Sequence, residues 1–187
     1  VHSWNSDLSP WPAPAVFGTE DFGESAPGTL QFLLEHVVPE RMPGEGQQDL
    51  NEGSSQGAGR TGTAGQKGPR ILLGGYSLAA LFALWAGYQT DRFSGIAAAS
   101  PSIWFPRFTD YMRQNPLHAD AVYLSLGDRE ERTGNPVMAQ VGNRIREAES
   151  ILRDAGKACT LEWNKGNHFK QPDIRTAKAF AWLMNAV

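Results

Sequence analysis

The chain has 187 residues, 41% hydrophobic and 20% charged, with a formal net charge of −3. Such a composition fits a globular protein with a sizeable core and a single domain over residues 1–187. It offers no basic stripe for nucleic acid, no apolar run of roughly 18 residues for a membrane span, and no disulfide framework, since Cys159 is the single cysteine.

The chain opens on Val1 rather than Met, so the expectation is an N-terminally incomplete protein, with a cytoplasmic location. Residues 1–5 read as the end of a strand. Residues 6–23 are rich in proline and aromatics, and Pro10, Pro12 and Pro14 forbid a regular helix. Trp11, Phe17 and Phe22 are expected to pin this loop to a core or to line a pocket. A helix is expected over about residues 27–38, with Leu30, Leu33, Leu34, Val37 and Val38 on its apolar face and His36 exposed. Residues 44–69 are dominated by Gly, Gln, Ser and Thr, and they read as a flexible insertion within the domain.

Residues 70–88 are the stretch on which the rest depends. An apolar run, Ile71-Leu72-Leu73, meets Gly74 and Gly75, then Tyr76, Ser77 and a long apolar segment. This reads as strand, sharp turn, helix. Gly75 falls two residues before Ser77, where a side chain would collide with the turn, and Ala79 falls two after it. The pattern is G-x-S-x-A, a small-residue variant of the nucleophile elbow. A serine at a helix start lies beside free N–H groups and the positive end of the helix dipole, both of which stabilise an oxyanion. The same serine would also serve as an ordinary helix cap.

Residues 93–99 read as a second strand, buried on both faces. A loop, Ser100-Pro101-Ser102-Ile103-Trp104-Phe105-Pro106, follows it, then a short helix over about 107–115. Residues 121–127 form a third strand that runs into a charged loop, Asp128-Arg129-Glu130-Glu131-Arg132. A helix over about 135–155 carries Val137, Val141, Ile145, Ile151 and Leu152 on one side. Residues 158–163 are a fourth strand, in which Cys159 reads as a packed thiol. Gly166-Asn167-His168-Phe169 is the loop after it. A last helix over about 172–185 has Ile174, Ala177, Phe180, Ala181, Leu183 and Met184 as its apolar residues. Alternating strands and helices joined by short connections imply an α/β fold with a mostly parallel sheet. In such sheets chemistry collects at the carboxyl ends of the strands, where Ser77 and the loops at 100–106, 128–132 and 168 all fall.

A serine nucleophile needs a base within reach, and that base needs an orienting carboxylate. His168 is the best base, as it follows the last strand. His118 precedes a strand and lies at the wrong end of the sheet, while His2 and His36 have weaker contexts. The acid comes from the loop after the third strand. Glu130 is favoured, three residues after Gly127, with Asp128 as the second choice. The order Ser77, Glu130, His168 matches the Ser…Asp/Glu…His order of α/β-hydrolases.

On these residues the chain resembles the esterase family of α/β-hydrolases that includes the esterase D-like enzymes and the enterobactin (siderophore) esterases. GGYSLAALFALWA resembles that family's elbow, and Asp7-Leu8-Ser9-Pro10 its D-L-T-P loop. SPSIWFP resembles its S-x-S-x-W-W loop, and GDREE and GNHF its acid and histidine loops. The resemblance implies the α/β-hydrolase fold, a three-layer sandwich, and hydrolysis of a small-molecule carboxylic ester through an acyl-enzyme. Ser77 is then the nucleophile, His168 the base, Glu130 the acid and Leu78 the oxyanion N–H donor. Tyr76, Trp104 and Trp11 are the candidate substrate-binding residues. No metal and no cofactor is implied, and the oligomeric state is left open. The family's first strands, which carry a second oxyanion donor, have no counterpart here, and the loops show no evident basic group for an iron-bound anionic siderophore. A catalytically weak binding domain on the same fold, and acyl transfer by the same triad, are the alternatives.

Overall fold

The computed structural model describes residues 3–38 and 70–187; the expected insertion at 44–69 lies outside the described residues. Four strands form one sheet: β1 (Leu72–Tyr76), β2 (Gly95–Ala99), β3 (Ala121–Gly127) and β4 (Ala158–Asn164). All pairings are parallel, in the order β1-β2-β3-β4. The strands therefore start at one end of the sheet and release their loops at the other.

The helices are α1 (Trp4–Asp7), α2 (Ala26–His36), α3 (Leu78–Gln89), α4 (Phe108–Gln114), α5 (Val141–Asp154) and α6 (Pro172–Ala186). Helix α3 is apolar all round, as a helix enclosed by its own protein must be, and Leu78 and every residue from 80 to 88 are buried. It packs with α5 and the α4 region into the larger core, against Ile96, Ala98, Val122 and Leu124. Helix α6 covers the opposite face, where Ala179 and Leu183 meet Ala97, Ala121 and Tyr123. Side chains alternate between faces along a strand, so the three layers follow from the sequence of β2 and β3. Among the described residues no helix is long and apolar enough to cross a membrane.

Several elements differ from the sequence reading. Residues 4–7 are a helical turn, not a strand end, because Ser3 caps it through its side chain and the Asp7 carboxylate accepts the Ser3 N–H at 3.2 Å. Helix α2 stops at His36, so Val37 leaves the apolar face and is exposed. The long helix begins at residue 141 after a 3₁₀ turn, Met138–Gln140. Asn135 Oδ1 takes the N–H groups of Val137 and Met138, an Asx-type turn that competes with helix. Val137 is consequently exposed.

Helix α6 turns inward only part of the apolar set expected, Leu183 with Phe180 packed against the same cluster. Ile174 and Met184 are exposed, and the buried row is Arg175, Ala179 and Leu183. The small Ala179 suits close approach to Ala97 and Ala121, and Arg175 enters a polar cluster described below. Cys159 is half-buried against the larger core, and burial pushes its thiol up to about 12. His36 and His118 are both exposed.

Candidate active site

Ser77 sits between β1 and α3 with φ 60° and ψ −122°. Few residues other than glycine adopt this backbone. Its neighbours fix it. The Ser77 N–H donates to Ala99 at 3.2 Å, and its carbonyl accepts from Ala80, Leu81 and Ser102. Gly75 permits the turn: a Cβ there would lie 2.5 Å from the Ala79 carbonyl carbon and 2.6 Å from its oxygen. Leu78 opens α3, where the first N–H groups of a helix lack partners within it.

Three loops from three strand ends converge on this turn. His168 Nε2 lies 3.0 Å from Ser77 Oγ, and His168 Nδ1 lies 2.7 Å from Glu130 Oε2. The other carboxylate oxygen of Glu130 accepts from the Gly127 N–H at 2.7 Å, the Ser100 hydroxyl at 2.9 Å and Arg175 Nη1 at 2.7 Å. Burial raises the Glu130 pKa. The hydrogen bonds from His168, Gly127 and Ser100, with the charge of His168, outweigh it and hold the carboxyl below its ordinary range. A hydroxyl in reach of an imidazole, itself held by a buried carboxylate, is what general-base activation requires.

Asp128, the second choice for the acid, faces elsewhere. It is exposed, and its carboxylate accepts the Gly166 N–H at 2.8 Å. It braces the loop that carries His168. Tyr76 lies under that loop, its hydroxyl donating to the His168 carbonyl at 2.6 Å. Burial pushes the Tyr76 phenol above its ordinary range, so it remains a donor.

Ser77 and His168 open into a cavity of about 610 Å³. Trp104 lines it, with Phe17 and Phe169 from other loops. Trp11 does not line it. That ring packs against Phe105, Phe108 and Tyr111, and its Nε1 donates to the Pro106 carbonyl at 3.0 Å. Tyr76 is likewise outside the lining. Arg129 and Arg132 do line the cavity, so the acid loop supplies the cationic side chains that the sequence reading did not find. Among the described residues no group of His, Cys, Asp or Glu could hold a metal ion.

Two serines and one arginine at the site escaped the sequence reading. Ser102 Oγ lies 3.3 Å from Ser77 Oγ, and Ser100 and Arg175 contact Glu130. The row Arg175, Ala179, Leu183 was the available signal. A lone arginine that continues a small apolar row at i, i+4, i+8 marks a buried cation.

No protein-family model and no curated protein matches the chain. Among solved structures, the chain is similar to the siderophore hydrolase EstA from Aspergillus nidulans, with 20% identity and a TM-score of 0.62. The match covers 97% of this chain and 66% of that one. It is also similar to an IroE-like serine hydrolase from Shewanella oneidensis, with 17% identity and a TM-score of 0.50, over 61% of this chain and 40% of that one. The chain thus spans less than two thirds of either relative. At these identities the likeness is one of fold, and the chain has the α/β-hydrolase fold expected from its sequence.

Proposed function

We propose that the protein is a serine hydrolase that cleaves carboxylic esters through an acyl-enzyme on Ser77. The observation that carries this reading is the hydrogen-bonded chain Ser77–His168–Glu130, with contacts of 3.0 and 2.7 Å, at the mouth of a partly apolar cavity. His168 Nε2 takes the Ser77 proton as Oγ attacks the ester carbonyl carbon. The tetrahedral oxyanion is stabilised by the Leu78 N–H and the positive end of α3. His168 returns its proton to the leaving alcohol oxygen as the C–O bond breaks. Water, deprotonated by the same imidazole, then releases the acid and restores Ser77. Glu130 holds the ring with Nδ1–H toward itself, leaving Nε2 as the acceptor. Trp104, Phe17 and Phe169 offer apolar walls to a flat or aromatic part of the substrate. The structural relatives are a siderophore hydrolase and an IroE-like serine hydrolase, which supports hydrolytic chemistry of this class.

The test is covalent labelling. A fluorophosphonate probe is expected to mark Ser77, located by peptide mass spectrometry, and the Ser77→Ala variant is expected to remain unmarked. Equal labelling of both proteins would refute the assignment. Turnover of short p-nitrophenyl esters that vanishes in His168→Ala extends the test from reactivity to catalysis, and a competing alcohol acceptor separates hydrolysis from acyl transfer.

A further inference from the structure

One guanidinium ties together the carboxyl ends of all four strands. Arg175 Nη1 donates to the Tyr76 hydroxyl at the end of β1 (3.2 Å), to Ser100 Oγ just after β2 (3.0 Å) and to Glu130 Oε1 after β3 (2.7 Å). Its Nη2 donates to the Asn167 carbonyl after β4, at 3.1 Å. The side chain is 2% exposed and that of Glu130 is 4% exposed. Arg175 does not line the cavity, so a bound ester would not touch it.

Its position bears on the chemistry of His168. A buried carboxylate 2.7 Å from an imidazole favours the protonated ring, which cannot accept a proton from serine. Glu130 shares its other oxygen with the Arg175 cation. The pair presents a nearly neutral dipole to the ring in place of a whole negative charge, which weakens its pull on the proton. Among the described residues, the Tyr76 ring centroid lies 5.2 Å from that of His168, and Arg129 and Arg132 line the same cavity. Asp128 is engaged with Gly166, and Lys170 and Asp173 follow His168 in sequence.

We infer that Arg175 is a positioning residue for the reaction at Ser77: it locks Glu130 and the four strand ends in place, and it offsets the Glu130 charge that faces the His168 ring. The inference rests on the ester-hydrolase reading for its kinetic consequence, though not for its effect on the histidine itself.

The experiment compares the whole 187-residue chain with Arg175→Met and Arg175→Lys. Two readouts are taken against pH: turnover of p-nitrophenyl acetate, and the NMR titration of the His168 ring protons. In Arg175→Met the acidic limb of the rate profile and the His168 titration are expected to move up by about one pH unit. kcat is expected to fall about tenfold to a hundredfold with KM nearly unchanged, as for a group that orients rather than binds. Arg175→Lys keeps the charge, so its profile is expected to stay close to that of the parent while kcat falls less. If Arg175→Met does not fold, Arg175→Lys and Arg175→Gln carry the comparison, the glutamine showing the pH shift that the lysine lacks. Variants that lose only melting temperature, with the parent's pH profile and titration, would overturn the inference and leave Arg175 a structural cation. A titration that shifts in a protein with no ester turnover would uphold the inference about His168 and refute the hydrolase reading instead.

Discussion

Replacing Glu130 by glutamine probes the buried polar cluster without changing its shape. The amide oxygen can still accept from Gly127, Ser100 and Arg175, but the charge is gone. Arg175 is then a cation with a 2% exposed side chain and no anion at 2.7 Å. Removing one partner of a buried pair costs about 3–5 kcal/mol, because the surviving charge has lost both water and counter-ion. At roughly 2–4 °C per kcal/mol for a chain of this size, the melting temperature should fall by about 6–20 °C. Urea unfolding followed by tryptophan fluorescence measures the difference directly. Its pH dependence has a definite sign. The native Glu130 pKa is lowered, so its stabilisation is complete above the ordinary glutamate range and is lost as pH falls through the native value. The gap between parent and variant should therefore be widest at neutral pH and close in acid. The double variant Glu130→Gln/Arg175→Met removes both charges and should cost less than the sum of the singles, by about 0.5–3 kcal/mol. A Glu130→Gln protein as stable as the parent at neutral pH, or a gap that widens in acid, would refute the buried-pair argument.

Two further outcomes test the assignments around the elbow. Gly75→Ala puts a methyl group within 2.8 Å of the backbone and Cβ of Ala79, so it should destabilise the fold by about 1–3 kcal/mol in urea and reduce fluorophosphonate labelling. Asp128→Ala should retain at least about ten times the kcat of Glu130→Ala, because Asp128 braces Gly166 while Glu130 touches the His168 ring; equal losses would reopen the choice of acid.

The residues that the sequence made legible share one property. Ser77, Glu130 and His168 each sit in a short loop directly after a strand, where local chemistry decides geometry: a glycine that must admit a backbone at Gly75, and a carboxylate three residues after Gly127. The four-strand alternation was readable because short apolar runs such as residues 95–99, followed at once by Ser100-Pro101, suit strands buried on both faces. Arg175 was marked only by its place in the row Arg175, Ala179, Leu183, and nothing local showed what it binds. Its partners come from four separate strand ends, 8 to 99 residues away in sequence. The inward row of α6 was legible only in part: apolar residues lie on several sides of that helix, and the sheet took the row in which the small Ala179 joins Leu183 against Ala97 and Ala121. Trp11 and Trp104 look alike in composition. Only packing separates a ring stacked on Phe108 from a ring at the cavity wall.

The backbone of Ser77 leads to a last expectation, one that sets stability against chemistry. With φ 60° and ψ −122°, Ser77 has the conformation of the first central residue of a type II′ turn, a position that glycine dominates. A residue with a Cβ held there stores about 1–3 kcal/mol of strain. The surrounding hydrogen bonds, from Ser77 N–H to Ala99 and from Ala80, Leu81 and Ser102 to the Ser77 carbonyl, are what hold it. Ser77→Gly and Ser77→Ala both delete the hydroxyl and its contacts with His168 and Ser102. They differ in the strain. Glycine relieves it but loses about 0.5–1 kcal/mol more backbone entropy on folding. Ser77→Gly should therefore be the more stable of the two by about 1 kcal/mol, or roughly 2–4 °C in melting temperature, although neither reacts with a fluorophosphonate. Calorimetry of the pair compares backbones that differ by the Cβ alone, because the loss of the hydroxyl and its contacts is common to both. A glycine variant that melts below the alanine variant would mean that the turn carries no strain at Ser77, and that the positive φ is a conformation the elbow accepts without cost.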